Sequence, residues 1–134
     1  MGSLMKHVVF VCVENSCRSQ MAEAFAKMNH VDGISFYSSG SKASGVVNPK
    51  AIASMAEVSY DLSKHDSKPL DTLPDVVFDY AITMGCGDEC PDLKANNRLD
   101  WQITDPKHMD REAFAEVRDD IKEKVAALIK GMTT

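Results

Sequence analysis

His7-Val8-Val9-Phe10-Val11-Cys12-Val13-Glu14-Asn15-Ser16-Cys17-Arg18-Ser19-Gln20-Met21-Ala22 reads as strand, loop and helix in immediate succession. After His7, four apolar residues run without polar alternation and three are valine, the mark of a strand buried on both faces. From Arg18 onward Met21, Ala22, Phe25 and Met28 recur at helical spacing, so the loop opens onto a helix N-terminus. Five residues separate the Cys12 thiol from the Arg18 guanidinium. A loop of that length can turn successive amide N–H groups inward to form a concave, partly positive nest, and the helix dipole adds to its field. A tetrahedral oxyanion suits that nest. Nest, helix end and guanidinium all stabilise negative charge on sulfur, so Cys12 is expected to act as a thiolate nucleophile. A cysteine ending a buried strand is often only a small hydrophobe. The spacing to Arg18 and the flanking elements favour the anion site. The residues Glu14, Asn15, Ser16, Cys17, Arg18 and Ser19 are expected to bind the oxyanion or support the loop, with Asn15 and Ser19 bracing it and hydrogen-bonding the sulfur.

Strands and helices alternate downstream. Gly33 to Gly40 alternates apolar and polar residues as a second strand does. Asn48-Pro49 is a helix start, with Ile52, Met55 and Ala56 as the buried stripe to about Val58. Asp61 to Pro74 carries two prolines and no sustained period, and reads as a loop with at most one helical turn, a candidate lid. Asp79 to Met84 predicts a third strand, followed by the glycine-bearing loop Gly85-Cys86-Gly87-Asp88-Glu89-Cys90-Pro91, and Leu99-Asp100-Trp101 a short fourth strand. Phe114, Val117, Ile121, Val125 and Leu128 mark a last amphipathic helix from Asp110 to about Lys130. The expectation is an α/β fold, a parallel sheet with helices on both faces and ligands at the carboxyl ends of the strands.

The 134 residues suit one domain, expected over 5–134, with Met1-Gly2-Ser3-Leu4 reading as an expression remnant. A net charge of −5 argues against nucleic acid or an anionic membrane surface as partner, and no apolar run is long enough to span a bilayer. A cytoplasmic monomer is expected. In that compartment four cysteines point to catalysis or metal binding rather than to structural bridges.

Attack by a thiolate on an oxyanion needs a proton for the departing oxygen. Asp105, stiffened by Pro106 and set between the last strand and the last helix, is the candidate general acid, with Trp101 nearby to exclude water. Taken alone, Asp-Pro is ordinary turn chemistry. Cys86 and Cys90 suggest a second, redox stage, in which a second thiol attacks the Cys12 sulfur and a third resolves the disulfide. A zinc site from Cys12, Cys17, Cys86 and Cys90 is the competing reading. No pair has C-x2-C spacing and Arg18 would repel the ion, so neither metal nor cofactor is expected.

Val11-Cys12-x-x-Asn15-Ser16-Cys17-Arg18-Ser19-Gln20-Met21-Ala22-Glu23, with Gly45 to Ile52 and Asp105-Pro106, resembles the thioredoxin-coupled arsenate reductases built on the low-molecular-weight tyrosine phosphatase fold. The resemblance spans nearly the whole chain. It implies a four-stranded parallel sheet of order 2-1-3-4 in a three-layer sandwich. It also implies reduction of arsenate to arsenite, with Cys12 as nucleophile, Arg18 as oxyanion ligand, Asp105 as general acid, and Cys86 and Cys90 as a shuttle pair regenerated by thioredoxin or a glutaredoxin-type reductant. Cys17 falls outside that relay, with packing behind the nest as its expected role. Glu14 stands where the family usually has glycine and puts a carboxylate beside the anion site. The shuttle cysteines are closer together than in well-known members. Where some members hold potassium with side chains matching Asn15, Glu23 and Ser38 plus an aspartate, this chain has Lys68, and no potassium is expected. The rival is a phosphatase using Cys12, Arg18 and Asp105 alone. Those enzymes typically place tyrosines after Asp-Pro, where Lys107 and His108 stand here, and a proline at Gln20.

Overall fold

A computed structural model of the chain describes residues 5–29, 31–84 and 93–133. Cys86 and Cys90, with the glycine-bearing loop that carries them, lie outside the described residues. Strand β1 (Lys6–Cys12) is central, paired in parallel with β2 (Ile34–Gly40) on one side and β3 (Phe78–Thr83) on the other. Strand β4 (Ala95–Asp100) pairs in parallel with β3, giving the order β2-β1-β3-β4. This is the sheet expected from the sequence.

The unbroken apolar run of β1 is explained by two-sided burial. Val8, Phe10 and Cys12 face a core shared with helices α1 (Arg18–Met28), α2 (Pro49–Ala56) and α3 (Arg111–Thr133). Val9 and Val11 join Phe78 and Ala81 on the other face, covered by Leu70, Leu73 and Val76. Each fully buried valine or phenylalanine of β1 stabilises the fold by about 1.5–3 kcal/mol. Among the described residues, the helix on this second face is a single 3-10 turn, Leu70–Thr72.

The chain leaves β1 to β2 on one side and then crosses to β3 on the other. Strand order therefore reverses at the carboxyl end of β1, where a crevice opens and Cys12 sits.

Local signals set the helix ends. Asn48 Oδ1 accepts from Lys50 N at 2.8 Å, with Pro49 at the first helical position. Helix α2 closes earlier than Val58, because Ser59 adopts φ 66 and Tyr60 N turns back to Met55 O at 3.0 Å. Asp110 Oδ1 accepts from Ala113 N at 2.9 Å and starts α3.

Strand β4 is longer than the expected Leu99–Trp101, and it begins earlier. As the outer strand it is largely exposed, and its Asn96, Asn97 and Arg98 give no apolar alternation to read. Trp101 lies just past it, its amide on Thr83 O at 2.8 Å and its ring packed on Phe10 at 6.0 Å between centroids.

Candidate active site

The loop from Cys12 to Arg18 is built from behind. The carbonyl oxygens of Val13, Glu14 and Ser16 accept from the amides of Lys42 (2.8 Å), Ser44 (3.0 Å) and Asn48 (3.0 Å), and Asn15 O accepts from Gln20 Nε2 at 3.2 Å. Four successive carbonyls are thus turned outward, which turns the intervening amides toward the concave side and makes an anion nest. Asn15 is at φ 51, the left-handed region that asparagine tolerates better than most residues. Its side chain fixes that conformation, with Oδ1 accepting from Lys68 N at 2.7 Å and Nδ2 donating to Ser19 Oγ at 2.8 Å.

Gly40 is required by space. It lies opposite Cys12 in the β1–β2 register, and a Cβ there would stand 2.5 Å from Val13 O and 2.9 Å from Asn15 N. Any side chain would push the nest out of shape.

Helix α1 has Cys17 as its N-cap, with no side-chain cap bond and no acidic residue in its first turn. Its N-terminal field is left to the nest. Arg18 is 8 % exposed and is itself held in place, with Nη1 donating to Met84 O and, at 3.0 Å, to Ile103 O. Its Nη2 stands 3.8 Å from Asp105 Oδ2. Cys12, Val13, Glu14, Ser16, Cys17, Arg18 and Asp105 enclose a cavity of about 230 Å³, small enough to suit an inorganic oxyanion. A larger cavity, about 580 Å³, lies between α2 and the start of α3 beside Lys50, Ser54, Glu57 and Phe114. It contains no cysteine, and its Glu57 carboxylate is taken up by Arg111 at 2.7 Å, so the chemistry is assigned to the smaller one.

Ser19 Oγ lies 2.9 Å from Cys12 Sγ. Because Asn15 Nδ2 already donates to that hydroxyl oxygen, the Ser19 proton is free to point at the sulfur. The same logic runs further back. Gln20 Nε2 donates to Asn15 Oδ1 at 2.9 Å, and Gln20 Oε1 therefore accepts from His65 Nδ1 at 3.0 Å. That assigns the His65 proton to Nδ1 and leaves Nε2 to accept from the Tyr60 hydroxyl at 2.6 Å. Tyr60, His65, Gln20, Asn15 and Ser19 form one chain of donors, every one pointing toward Cys12. Burial lowers the His65 pKa and holds the ring neutral, the form this tautomer needs. Burial also raises Tyr60, with Glu23 and Asp61 adding to the effect, so its hydroxyl keeps the proton it donates.

Glu23 is buried beside this chain. Burial opposes its charge, but bonds from Lys27 Nζ and Ser38 Oγ, both at 2.5 Å, and the Lys68 ammonium at 3.7 Å outweigh it and hold the carboxyl below the usual carboxylate range. Lys68 thus brings its ammonium to the cluster of Asn15, Glu23 and Ser38.

Several sequence expectations change in detail. The carboxylate of Glu14 does not stand unpaired against the anion site, because Oε2 is 2.7 Å from Lys107 Nζ. Cys17 packs into the core behind the nest, as expected, and also lines the cavity. Burial pushes its thiol up to about 11, with the Asp105 and Cys12 charges adding to the rise against a Ser16 hydrogen bond. It is a neutral thiol at physiological pH. Trp101 packs against Phe10 and does not line the cavity. The segment 61–74 is no lid. It buttresses the nest from outside, through Gly40 N to Lys68 O at 3.0 Å, Ser67 Oγ to Glu14 O at 3.1 Å and Gln20 Nε2 to Asp66 O at 2.8 Å. Its lack of period reflects a strap of turns that satisfies the loop's polar groups. Gly40, Gln20, Tyr60 and His65 were not among the predicted site residues. Only contacts across the fold reveal them, although Gly40 at a strand end was a visible signal.

A strand-to-helix nest with a thiol, a guanidinium and an opposing carboxyl defines an oxyanion site of the cysteine-phosphatase kind. The sequence matches the low molecular weight phosphotyrosine protein phosphatase family over residues 7–134, and the chain belongs to that family. Within it, the chain is similar to arsenate reductases. It is 42% identical over 128 residues to the glutaredoxin arsenate reductase of Synechocystis sp., covering 93% of this chain and 97% of that one. It is 40% identical over 124 residues to arsenate reductase 1 of Staphylococcus epidermidis, covering 90% and 92%. A solved structure described as an arsenate reductase in the phosphate binding state superposes with a TM-score of 0.86 at 41% identity, covering 96% of this chain and all of that one. Among the described residues no helix is long and apolar enough to cross a membrane.

Proposed function

We propose that this chain reduces arsenate to arsenite, with Cys12, Cys86 and Cys90 as successive thiols. The observation that carries the reading is a small oxyanion cavity holding Cys12, Arg18 and Asp105, in a chain at least 40% identical to named arsenate reductases over nine tenths of its length. The Cys12 thiolate attacks arsenic and an oxygen leaves as water, its proton supplied by Asp105 while Arg18 and the nest amides hold the remaining oxygens. Cys86 then attacks the Cys12 sulfur. A Cys12–Cys86 disulfide forms, and arsenite departs with the electron pair of the sulfur–arsenic bond. Cys90 attacks Cys86 and frees Cys12. The Cys86–Cys90 disulfide holds the two-electron oxidation until an external dithiol of the thioredoxin or glutaredoxin type reduces it. Such a cycle belongs in a reducing, cytoplasmic setting.

Hydrolysis of a phosphate monoester is the second reading, favoured by the family match itself. It uses Cys12, Arg18 and Asp105 and needs no further thiol. Arsenite release and aryl phosphate cleavage, measured in the wild type and in Cys12→Ser, Cys86→Ser and Cys90→Ser, separate the two. The reductase reading requires Cys12→Ser to abolish both activities and the other two variants to stop arsenite turnover. Arsenite release at the wild-type rate in Cys86→Ser, beside rapid ester cleavage, overturns it.

A further inference from the structure

Glu14 and Asp105 both line the cavity that holds Cys12 and Arg18. Glu14 Oε2 reaches Lys107 Nζ at 2.7 Å, and the Lys107 amide donates to Asp105 Oδ1 at 3.1 Å. Asp105 Oδ2 in turn faces Arg18 Nη2 at 3.8 Å. Nest and acid segment are therefore joined twice, by Arg18–Asp105 and by Glu14–Lys107. The second junction lies further out, with both side chains partly exposed at 40 % and 34 %. The nest end of this strut is fixed, because Glu14 O is held by Ser44 N at 3.0 Å and Ser67 Oγ at 3.1 Å.

We propose that the Glu14–Lys107 pair is a specificity element of this site, a strut beside the cavity mouth that admits a bare tetrahedral oxyanion and bars the organic group of a phosphate or phosphonate ester. Three observations support this. The cavity is about 230 Å³, room for an oxyanion but little else. An organic substituent on the fourth oxygen must leave past the acid segment, which the strut holds down against the nest. A carboxylate beside an anion site repels its ligand unless it is neutralised, and Lys107 neutralises Glu14 without entering the cavity lining. The hydrogen bond and charge of Glu14, with Asp105 adding, hold the Lys107 pKa above its usual value, so Lys107 is a cation at physiological pH. Lys107 is here a positioning residue that acts through Glu14 and the acid segment.

The proposal deepens the reading of a site for inorganic oxyanions, and equilibrium binding tests it without requiring turnover. Calorimetry with inorganic phosphate and with phenylphosphonate on the full chain gives the discrimination ratio. Wild type should bind phosphate at least tenfold more tightly than phenylphosphonate. In Glu14→Gln and in Lys107→Met the ratio should fall about fivefold, mainly through tighter phenylphosphonate binding. It should be kept in Lys107→Arg and return in the exchanged pair Glu14→Lys with Lys107→Glu. Unchanged discrimination in either single variant overturns the proposal, and so does an exchanged pair that recovers none of it. Arsenite release by the wild type is read separately. Its absence overturns the reductase reading and leaves the binding result standing.

Discussion

The nest and the acid segment face each other across one small cavity and are held by different means. On the nest side Cys12, Asn15, Ser19 and Gln20 are all at most 3 % exposed, and the loop carbonyls and the Asn15 side chain are bonded from behind. On the acid side Asp105 is exposed and is positioned by a turn bond from Lys107, by Arg18 at 3.8 Å and by the Glu14–Lys107 pair. The anion-binding half is preorganised at the cost of buried polar groups that must all be satisfied. The proton-donating half rests on partly exposed charge pairs that solvent can loosen. Substitutions on the nest side should therefore damage folding and chemistry together, and those on the acid side chemistry alone.

The largest effect is expected from Gly40→Ala. Its Cβ would meet Val13 O at 2.5 Å, so the nest must shift; oxyanion binding by calorimetry should be lost, and thermal unfolding should show destabilisation of about 1–3 kcal/mol. Wild-type binding in that variant would mean that the nest is softer than its contacts imply. Asp105→Asn should lower the rate of arsenite release by about 100-fold with an unchanged melting temperature, because it removes a proton and little packing. A matching drop in stability would break the contrast between the two sides.

Gln20→Ala comes next. It leaves Asn15 O and His65 Nδ1 without their partner, which should cost about 1–3 kcal/mol in denaturant unfolding and weaken oxyanion binding as the chain to Ser19 loosens. His65 adds a pH signature. Its folded pKa lies below the ordinary histidine value, so the unfolded chain takes up the proton first on acidification. The stability it contributes is complete above the ordinary histidine pKa and declines as pH falls toward the lowered folded value. Denaturant midpoints from pH 8 to pH 5 should show that fall, and His65→Gln should flatten it. The smallest effect is expected for Lys107→Met, whose melting temperature should equal that of the wild type.

Much of this was legible in the chain itself. The uniform apolar run of β1 marks a strand buried on both faces, and the Cys12 to Arg18 spacing with helical periodicity after it locates the nest. The first half of strand β4 is not legible, because an outer strand with Asn96, Asn97 and Arg98 on its surface carries no apolar period. The strap around Lys68 looked like a lid because a segment that satisfies another loop's carbonyls has no period of its own. The chain from Tyr60 to Cys12 joins residues up to 53 positions apart, and only the fold brings them together. Glu14 departs from the glycine usual in the reductases, and Lys107 from the tyrosines usual in the phosphatases. Their pairing, across 93 residues, shows that the two departures belong together.

One stoichiometric turnover tests the central claim most directly. Reduced protein mixed with an equal amount of arsenate and no external reductant should release one arsenite per chain and lose two titratable thiols, with peptide mapping by mass spectrometry joining Cys86 to Cys90 and leaving Cys12 and Cys17 free. Four intact thiols and no arsenite, in protein that cleaves an aryl phosphate, would contradict the account.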